Sequence, residues 1–190
     1  IKKFILSQNK KVAKIFINND DNFLSSLKKY SNNIKTFGSN KKANYSYKLI
    51  NLNDKKSLFD IFKGKKILAQ NISSNLLGEH NVQNLTAVIS IIDDLGYKVK
   101  KSHIANFKGT KRRMNILGKI NNTLFIDDYA HHPTEIEKLI NISSLYKKRN
   151  VFLVIEPHRY SRLNDLYEEY LRVLKNIKNL IILKTYEAGE

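Results

Sequence analysis

The chain has 190 residues, 42% of them hydrophobic, with 34 basic against 17 acidic residues and a formal net charge of +17. That composition supports a buried core and excludes a largely disordered chain, while the absence of cysteine excludes disulfides and thiolate metal sites and points to a reducing compartment, the cytoplasm. The longest apolar runs, VFLVI and LIIL, fall far short of the roughly 20 residues of a membrane span, and the opening IKKFILSQNKK lacks the apolar stretch and cleavage site of a signal peptide.

The first residue is Ile, not Met, so the sequence is expected to begin partway through a longer protein. Of the basic residues 28 are Lys and 6 Arg, and Lys, Asn and Ile recur throughout, so the positive charge reads as solvated surface rather than a polyanion groove. Arginine is more selective. All six lie at or after position 112, and four form the pairs Arg112, Arg113 and Arg159, Arg162. A forked guanidinium holds carboxylate or phosphate through two hydrogen bonds, so these four are candidate anion clamps.

In chain order, VAKIFIN (12–18) reads as a strand, DNFLSSLKKYS as a helix capped by Asp21 or Asn22, and IKTFG as a second strand, a βαβ rhythm. From Tyr45 to Ser73 the pattern shifts to short strands, YSYKLINL, SLFDIF and KKILAQNI, the last two joined at KGK, which predicts an antiparallel patch or ribbon on the sheet edge. After Gly78, the segment 81–95 sets Val82, Leu85, Val88, Ile89, Ile92 and Leu95 on one helical face, with Gly96 ending it. KKSHIANF predicts a shorter helix, and a new unit is expected from about Gly109.

In that unit RMNILGKINNTLFID predicts a hairpin around NN, PTEIEKLINISSLY a helix, NVFLVIE a buried strand, NDLYEEYLRVLKNI an amphipathic helix and NLIILKTY a strand. The order implies a small parallel, Rossmann-like sheet. The fold class is therefore α/β in two parts, 1–108 and 109–190. The second is expected to be cut short, because it stops at TYEAGE directly after a strand.

Ligands of open α/β sheets bind where strands run into helices, and two dense motifs fall there. In FIDDYAHHPTEI (125–136) the strand ends near Ile126, Pro133 suits the first helical position and Glu135 the third as a capping acid. Asp127, Asp128, His131 and His132 thus crowd a helix start whose dipole attracts anions. Three readings stand: a metal site, disfavoured because adjacent histidines converge poorly on one ion; a structural cap with local ion pairs; and, preferred, a ligand offering hydroxyls to Asp and anionic oxygens to His, as a nucleotide does. EPHRYSRLNDL repeats the logic, with Arg159 and Arg162 able to meet one anion and Asn164 able to cap the next helix. In LLGEHNVQN, Asn81 and Asn84 stand one turn apart and could read a base edge, although an asparagine there is commonly only a cap.

Taken together and in order, GEHNVQN, FKGTKRRM, DDYAHHPTEI, EPHRYSR and YEAGE closely resemble the Mur ligase family, densely from Gly78 to Glu190 and loosely before it. The resemblance is to the branch that uses ATP to join L-alanine to the lactyl carboxylate of UDP-N-acetylmuramate through an acyl phosphate, with Mg²⁺ screening the phosphates. It implies the end of a central ATPase domain (1–108) followed by the first half of a Rossmann-like C-terminal domain (109–190). It places Asn81 and Asn84 at the adenine with His80 beside them, Arg113 at the ribose and phosphates with Arg112 adjacent, and Asp128 on the ribose hydroxyls. His131, Arg159 and Arg162 would face the muramate carboxylate and the nascent acyl phosphate.

Departures accompany the likeness. Glu156 stands where the family usually has Gln, and Met114 where Phe is common. There is no glycine-rich phosphate loop, and the metal ligands are expected upstream, with none assigned in this sequence. The chain is thus expected to be a fragment, without the N-terminal UDP-binding domain and inactive alone. Two rivals remain: a ligase adding a preformed peptide to the same muramate nucleotide, and a basic nucleic-acid-binding module. The acidic and imidazole-bearing bend at 127–132 and the guanidinium bend at 159–162 are expected to lie side by side, looking into one cleft shared with the long helix that begins at 81.

Overall fold

A computed structural model describes residues 1–8, 13–146 and 149–190. Val12, the first residue of the predicted opening strand, lies outside them. The chain divides into two units, Ile1–Lys108 and Gly109–Glu190.

The first unit opens with a short helix α1 (Lys2–Ser7), to which the sequence reading assigned no element, then β1 (Ile15–Asn18) and α2 (Asn22–Ser26). Asp21 caps α2 as predicted, its side chain accepting from the Leu24 N–H at 2.8 Å, but the helix gives way to a 3₁₀ turn over Leu27–Tyr30. Next come β2 (Ile34–Gly38), β3 (Tyr45–Leu52), β4 (Ser57–Lys63) and β5 (Lys66–Ser74). They make one mixed sheet in the order β1-β2-β3-β4-β5. The first two joins are parallel and the last two antiparallel. The predicted ribbon is therefore the far half of the same sheet, carried into it by β3 pairing along β2.

Helix α3 (Glu79–Asp94) and the shorter α4 (Lys101–Asn106) cover this sheet. Tyr47, Phe59, Ile61 and Ile72 pack with Val82, Leu85, Ile89 and Ile104. Each wholly buried aliphatic or aromatic side chain here contributes about 2 kcal/mol. Gly96, in the left-handed region at φ 85°, ends α3. Its N–H bonds the Asp93 carbonyl while that of Tyr97 bonds Ile92, closing a Schellman turn.

The predicted α3 face needs correction. Val88 and Leu95 are exposed, while Thr86 and Ser90 are buried. At 3.6 residues per turn Val88 lies about 120° round from Val82, too far for a stripe centred on Val82 and Ile89. Small hydroxyl side chains fill the flank instead, each bonding within its own helix: Thr86 Oγ1 to Val82 O at 2.8 Å and Ser90 Oγ to Ala87 O at 2.7 Å.

The second unit contains β6 (Asn115–Ile120) and β7 (Thr123–Asp127), the expected hairpin, turning through Asn121 at φ 52°. It continues with α5 (Pro133–Ser143), β8 (Leu153–Ile155), α6 (Tyr160–Asp165), α7 (Tyr167–Leu174) and β9 (Leu180–Ile182). β8 and β9 pair in parallel, as anticipated, but among the described residues β7 joins no ladder with them. Nor is NVFLVIE a buried strand. Only its LVI is extended, with Ile155 buried and Val154 on the opposite face half exposed.

The last amphipathic helix also differs. It starts earlier, behind Arg159, and breaks at Leu166 into α6 and α7, so Asn164 lies inside a helix instead of capping one. α7 returns against α5; Tyr170 of α7 and Pro133, Ile136 and Ile142 of α5 are buried.

Candidate functional site

Polar side chains gather at the ends of strands in each unit. In the first, Asp20, two residues beyond β1, accepts the amide of Ser39 at 2.7 Å and that of Asn40 at 3.3 Å, which fastens the loop leaving β2. Gln83 of α3 donates to Asp20 Oδ2 (3.1 Å) and to Asn18 Oδ1 (3.3 Å). Gly38 makes room for this: a Cβ there would stand 2.6 Å from the Asp20 carboxylate. The Tyr47 hydroxyl donates to Glu79 at 3.0 Å, and burial, followed by the Glu79 charge, pushes its pKa well up.

The first turn of α3 separates the two asparagines that sequence alone treated together. Asn81 donates its side-chain amide back to the Leu77 carbonyl at 2.7 Å, so it ties the loop to the helix. Asn84 is exposed, and its side chain has no hydrogen-bond partner among the described residues. His80 is the second residue of that turn. The part played by Asp20 and Gln83 escaped the sequence reading, which took this region only as strand, cap and helix.

In the second unit the bend between β7 and α5 is stitched to the entry of the hairpin. Asp128 accepts the Met114 amide and the Ala130 amide, each at 2.8 Å, and the Tyr129 N–H bonds the Arg112 carbonyl at 2.8 Å. Arg112 and Met114 hold left-handed backbone, at φ 59° and 47°. The Arg113 guanidinium stands 4.0 Å from Asp128 and 3.3 Å from Glu135, while that of Arg112 lies over the Tyr129 ring, 5.7 Å from its centre.

Pro133 begins α5 and Glu135 caps it, as predicted, within a capping box completed by His132, whose Nδ1 accepts from the Thr134 amide. Glu135 receives the His131 and His132 amides at 3.2 and 3.3 Å. Burial works to raise its pKa, but those two amides and the Arg113 and His131 charges outweigh it, so the carboxyl sits below its ordinary range. His131 Nδ1 lies 2.8 Å from the Tyr129 carbonyl. A carbonyl can only accept, so that nitrogen carries the proton and the ring's remaining chemistry falls to Nε2. Buried Tyr170 donates to the His131 carbonyl from α7.

The bend after β8 lies against this one. The His131 and His158 rings are 5.4 Å apart centre to centre, flanked by Tyr129 at 4.8 Å from His131 and Tyr186 at 5.2 Å from His158. The two bends therefore stand side by side, as anticipated. Arg159 takes an unusual backbone (φ 72°, ψ 131°) just before α6. Its N–H bonds the Tyr186 carbonyl, and the Tyr186 N–H bonds that of Pro157, both at 2.8 Å. Arg162 donates to the His158 carbonyl at 3.3 Å. Among the described residues no group of three or more His, Asp or Glu side chains could hold a metal ion, and no helix is long and apolar enough to cross a membrane.

Carboxamides, carboxylates, imidazoles and guanidinium groups collected where strands give way to helices are the pattern of α/β proteins that take ligands beyond their strand ends. The chain belongs to the Mur ligase family: residues 1–92 match the Mur ligase middle domain, and residues 112–190 match the Mur ligase glutamate ligase domain. Similar curated proteins are the UDP-N-acetylmuramate–L-alanine ligases of Carboxydothermus hydrogenoformans, 38% identical over 128 residues (66% of this chain, 28% of the relative), and of Aquifex aeolicus, 36% identical over 179 residues (92% and 39%). Among solved structures, the UDP-N-acetylmuramate–alanine ligase of Thermotoga maritima superposes with a TM-score of 0.72 at 26% identity, over 91% of this chain and 38% of that one. The chain thus spans well under half the length of these relatives.

Proposed function

We propose that, within a longer protein, this chain serves the ATP-dependent joining of L-alanine to UDP-N-acetylmuramate in peptidoglycan synthesis, in the cytoplasm. The overall reaction has two displacements. A carboxylate oxygen of the muramate attacks the γ-phosphorus and ADP leaves; the alanine amine then adds to the acyl carbon, phosphate departs and the nitrogen loses a proton.

Asn84, with its free amide, takes the adenine edge, while Asn81 and His80 shape the turn that presents it. Asp128 spends one interaction per oxygen on backbone amides, and each oxygen keeps a further lone pair for a ribose hydroxyl. Arg113, steadied by Glu135, faces the phosphates with Arg112 beside it. His131, Arg159 and Arg162 hold the muramate carboxylate and the charge that grows on the acyl phosphate and tetrahedral intermediate, so the chain's contribution is electrostatic and positional. ATP supplies the leaving group that activates the carboxylate. The described residues present no ligand set for Mg²⁺.

The observation that carries this reading is the juxtaposition of the His131 and His158 bends, 5.4 Å between rings, beside the arginine pair. Identities of 36–38% to proteins named for this activity support it. The test is alanine-dependent phosphate release by the intact protein from ATP and UDP-N-acetylmuramate, with a tripeptide as competing acceptor. Preference for the tripeptide would move the chain to the peptide-adding branch. Arg159→Ala should cost about 2 kcal/mol or more in kcat/KM if it makes a desolvated charged pair. Unaltered turnover would remove that residue from the site.

A further inference from the structure

Arg159 combines a charged side chain with a backbone conformation that L residues rarely adopt, at φ 72° and ψ 131°. Such a conformation persists only where its surroundings fix it, and two sets of bonds do so. Upstream, Tyr186 holds the Pro157 carbonyl and the Arg159 N–H in a short parallel bridge. Downstream, Glu190 takes Ser161 with both oxygens: Oε2 accepts the Ser161 amide at 2.9 Å and Oε1 accepts the Ser161 hydroxyl. A tight turn aims Glu190 back in this way, closed by its own N–H to the Glu187 carbonyl at 3.2 Å, with Ala188 at φ 53° and Gly189 at φ 86°. The segment 186–190 therefore grips the arginine-bearing bend on both sides of His158, at the Pro157 carbonyl and the Arg159 N–H, and again at Ser161, two residues beyond Arg159.

Electrostatics agree. The Ser161 hydroxyl and amide, then the Arg159 charge, hold the Glu190 carboxyl below its ordinary range, so it is an anion at neutral pH. Glu190 lies far along the chain from the residues it organises, and neither the anion clamp nor the nucleotide contacts use it.

We infer that Glu190 is a positioning residue for the substrate-carboxylate clamp: through Ser161 it holds the backbone that presents Arg159 and Arg162. This rests on the ligase reading for its consequence in turnover, but not for its consequence in local order. It sets the direction of the effect: loosening Glu190 weakens capture of the acidic muramate substrate and spares the nucleotide, whose Arg113 and Asp128 contacts come from another bend.

The test uses the intact protein carrying Glu190→Ala, Glu190→Gln, Arg159→Ala and the Glu190→Ala/Arg159→Ala double variant. Peptide-level hydrogen exchange over 157–163 should rise in Glu190→Ala, and less in Glu190→Gln, which keeps one neutral acceptor. KM for UDP-N-acetylmuramate should rise about tenfold with KM for ATP unchanged, and the rise should vanish in the Arg159→Ala background. Unchanged exchange overturns the inference. So does a parallel rise in both KM values, or an undiminished Glu190 effect once Arg159 is gone. If the unsubstituted protein does not ligate L-alanine, the ligase reading fails by itself, and exchange alone decides whether Glu190 clamps the bend.

Discussion

Arg113 and Glu135, one before the hairpin and the other in the first turn of α5, meet at 3.3 Å. Glu135 thereby joins a residue assigned to the nucleotide with one assigned to the acidic substrate, since its second oxygen receives the amides of His131 and His132. Removing it as Glu135→Ala strips the capping box and should cost about 1 kcal/mol of stability in chemical denaturation. Glu135→Gln should cost less, because a neutral acceptor can still take an amide. Its carboxyl is depressed in the folded protein, so its stabilisation is complete above the ordinary carboxyl pKa and fades as pH falls through the lower folded value. An acid-unfolding profile identical in wild type and Glu135→Gln would contradict this.

The two asparagines of α3 should behave differently. Asn81→Ala breaks the bond to the Leu77 carbonyl and should lower stability by about 1 kcal/mol. Asn84→Ala touches no internal bond and should leave the melting temperature in place while raising KM for ATP by about tenfold, the loss of one base-edge interaction. Kinetics and melting curves on the same pair of variants check both halves.

At Gly38 even a methyl group is too large. Its Cβ would enter the Asp20 carboxylate, 2.6–2.7 Å from three of its atoms, and Asp20 is held in place by Ser39, Asn40 and Gln83. Gly38→Ala should therefore destabilise by about 1–3 kcal/mol, as overpacking does. Asp20→Ala in the same background should return part of that loss, which a double-mutant cycle in urea measures.

Alkaline conditions should loosen the first unit at the far end of α3. The Tyr45 hydroxyl donates to Asp93 at 2.8 Å and is pushed up to about 12, by burial first and then by Asp93. Lys63, 2.7 Å from Asp93, is raised too, by that bond first. Both groups keep a proton in the folded chain that the unfolded chain gives up near pH 10, so stability falls as pH rises through that window. Following the urea midpoint across it should show a steeper decline in wild type than in Tyr45→Phe.

Much of this was readable in advance because it was local. Asp21 as a cap, Pro133 and Glu135 at a helix start, Gly96 as a stop and the Asn121 turn each depend on neighbours a few residues away. The five ordered motifs carried the family, and the adjacency of the two bends followed from the rule that loops at strand ends converge. Beyond the strand and helix bounds already corrected, two kinds of miss stand out. Helix angle, set by the whole face and not by apolar letters, turned Val88 and Leu95 outward. Long-range polar bonds left no local trace: Asp20 with Gln83, Tyr170 with His131 and Glu190 with Ser161 are separated by 63, 39 and 29 positions. YEAGE did stand among the motifs, but spacing alone gave its glutamate no partner.

Arg112, Met114 and Arg159 all hold positive φ where glycine would be at ease. Breeding the protein for heat endurance would favour glycine at each, relieving about 1–3 kcal/mol of backbone tension apiece. At 112 and 159 that exchange removes a guanidinium, so hardiness and turnover pull against each other there. At 114 only the main-chain amide reaches Asp128, so of these three positions it is the one where glycine would leave the proposed charged groups in place.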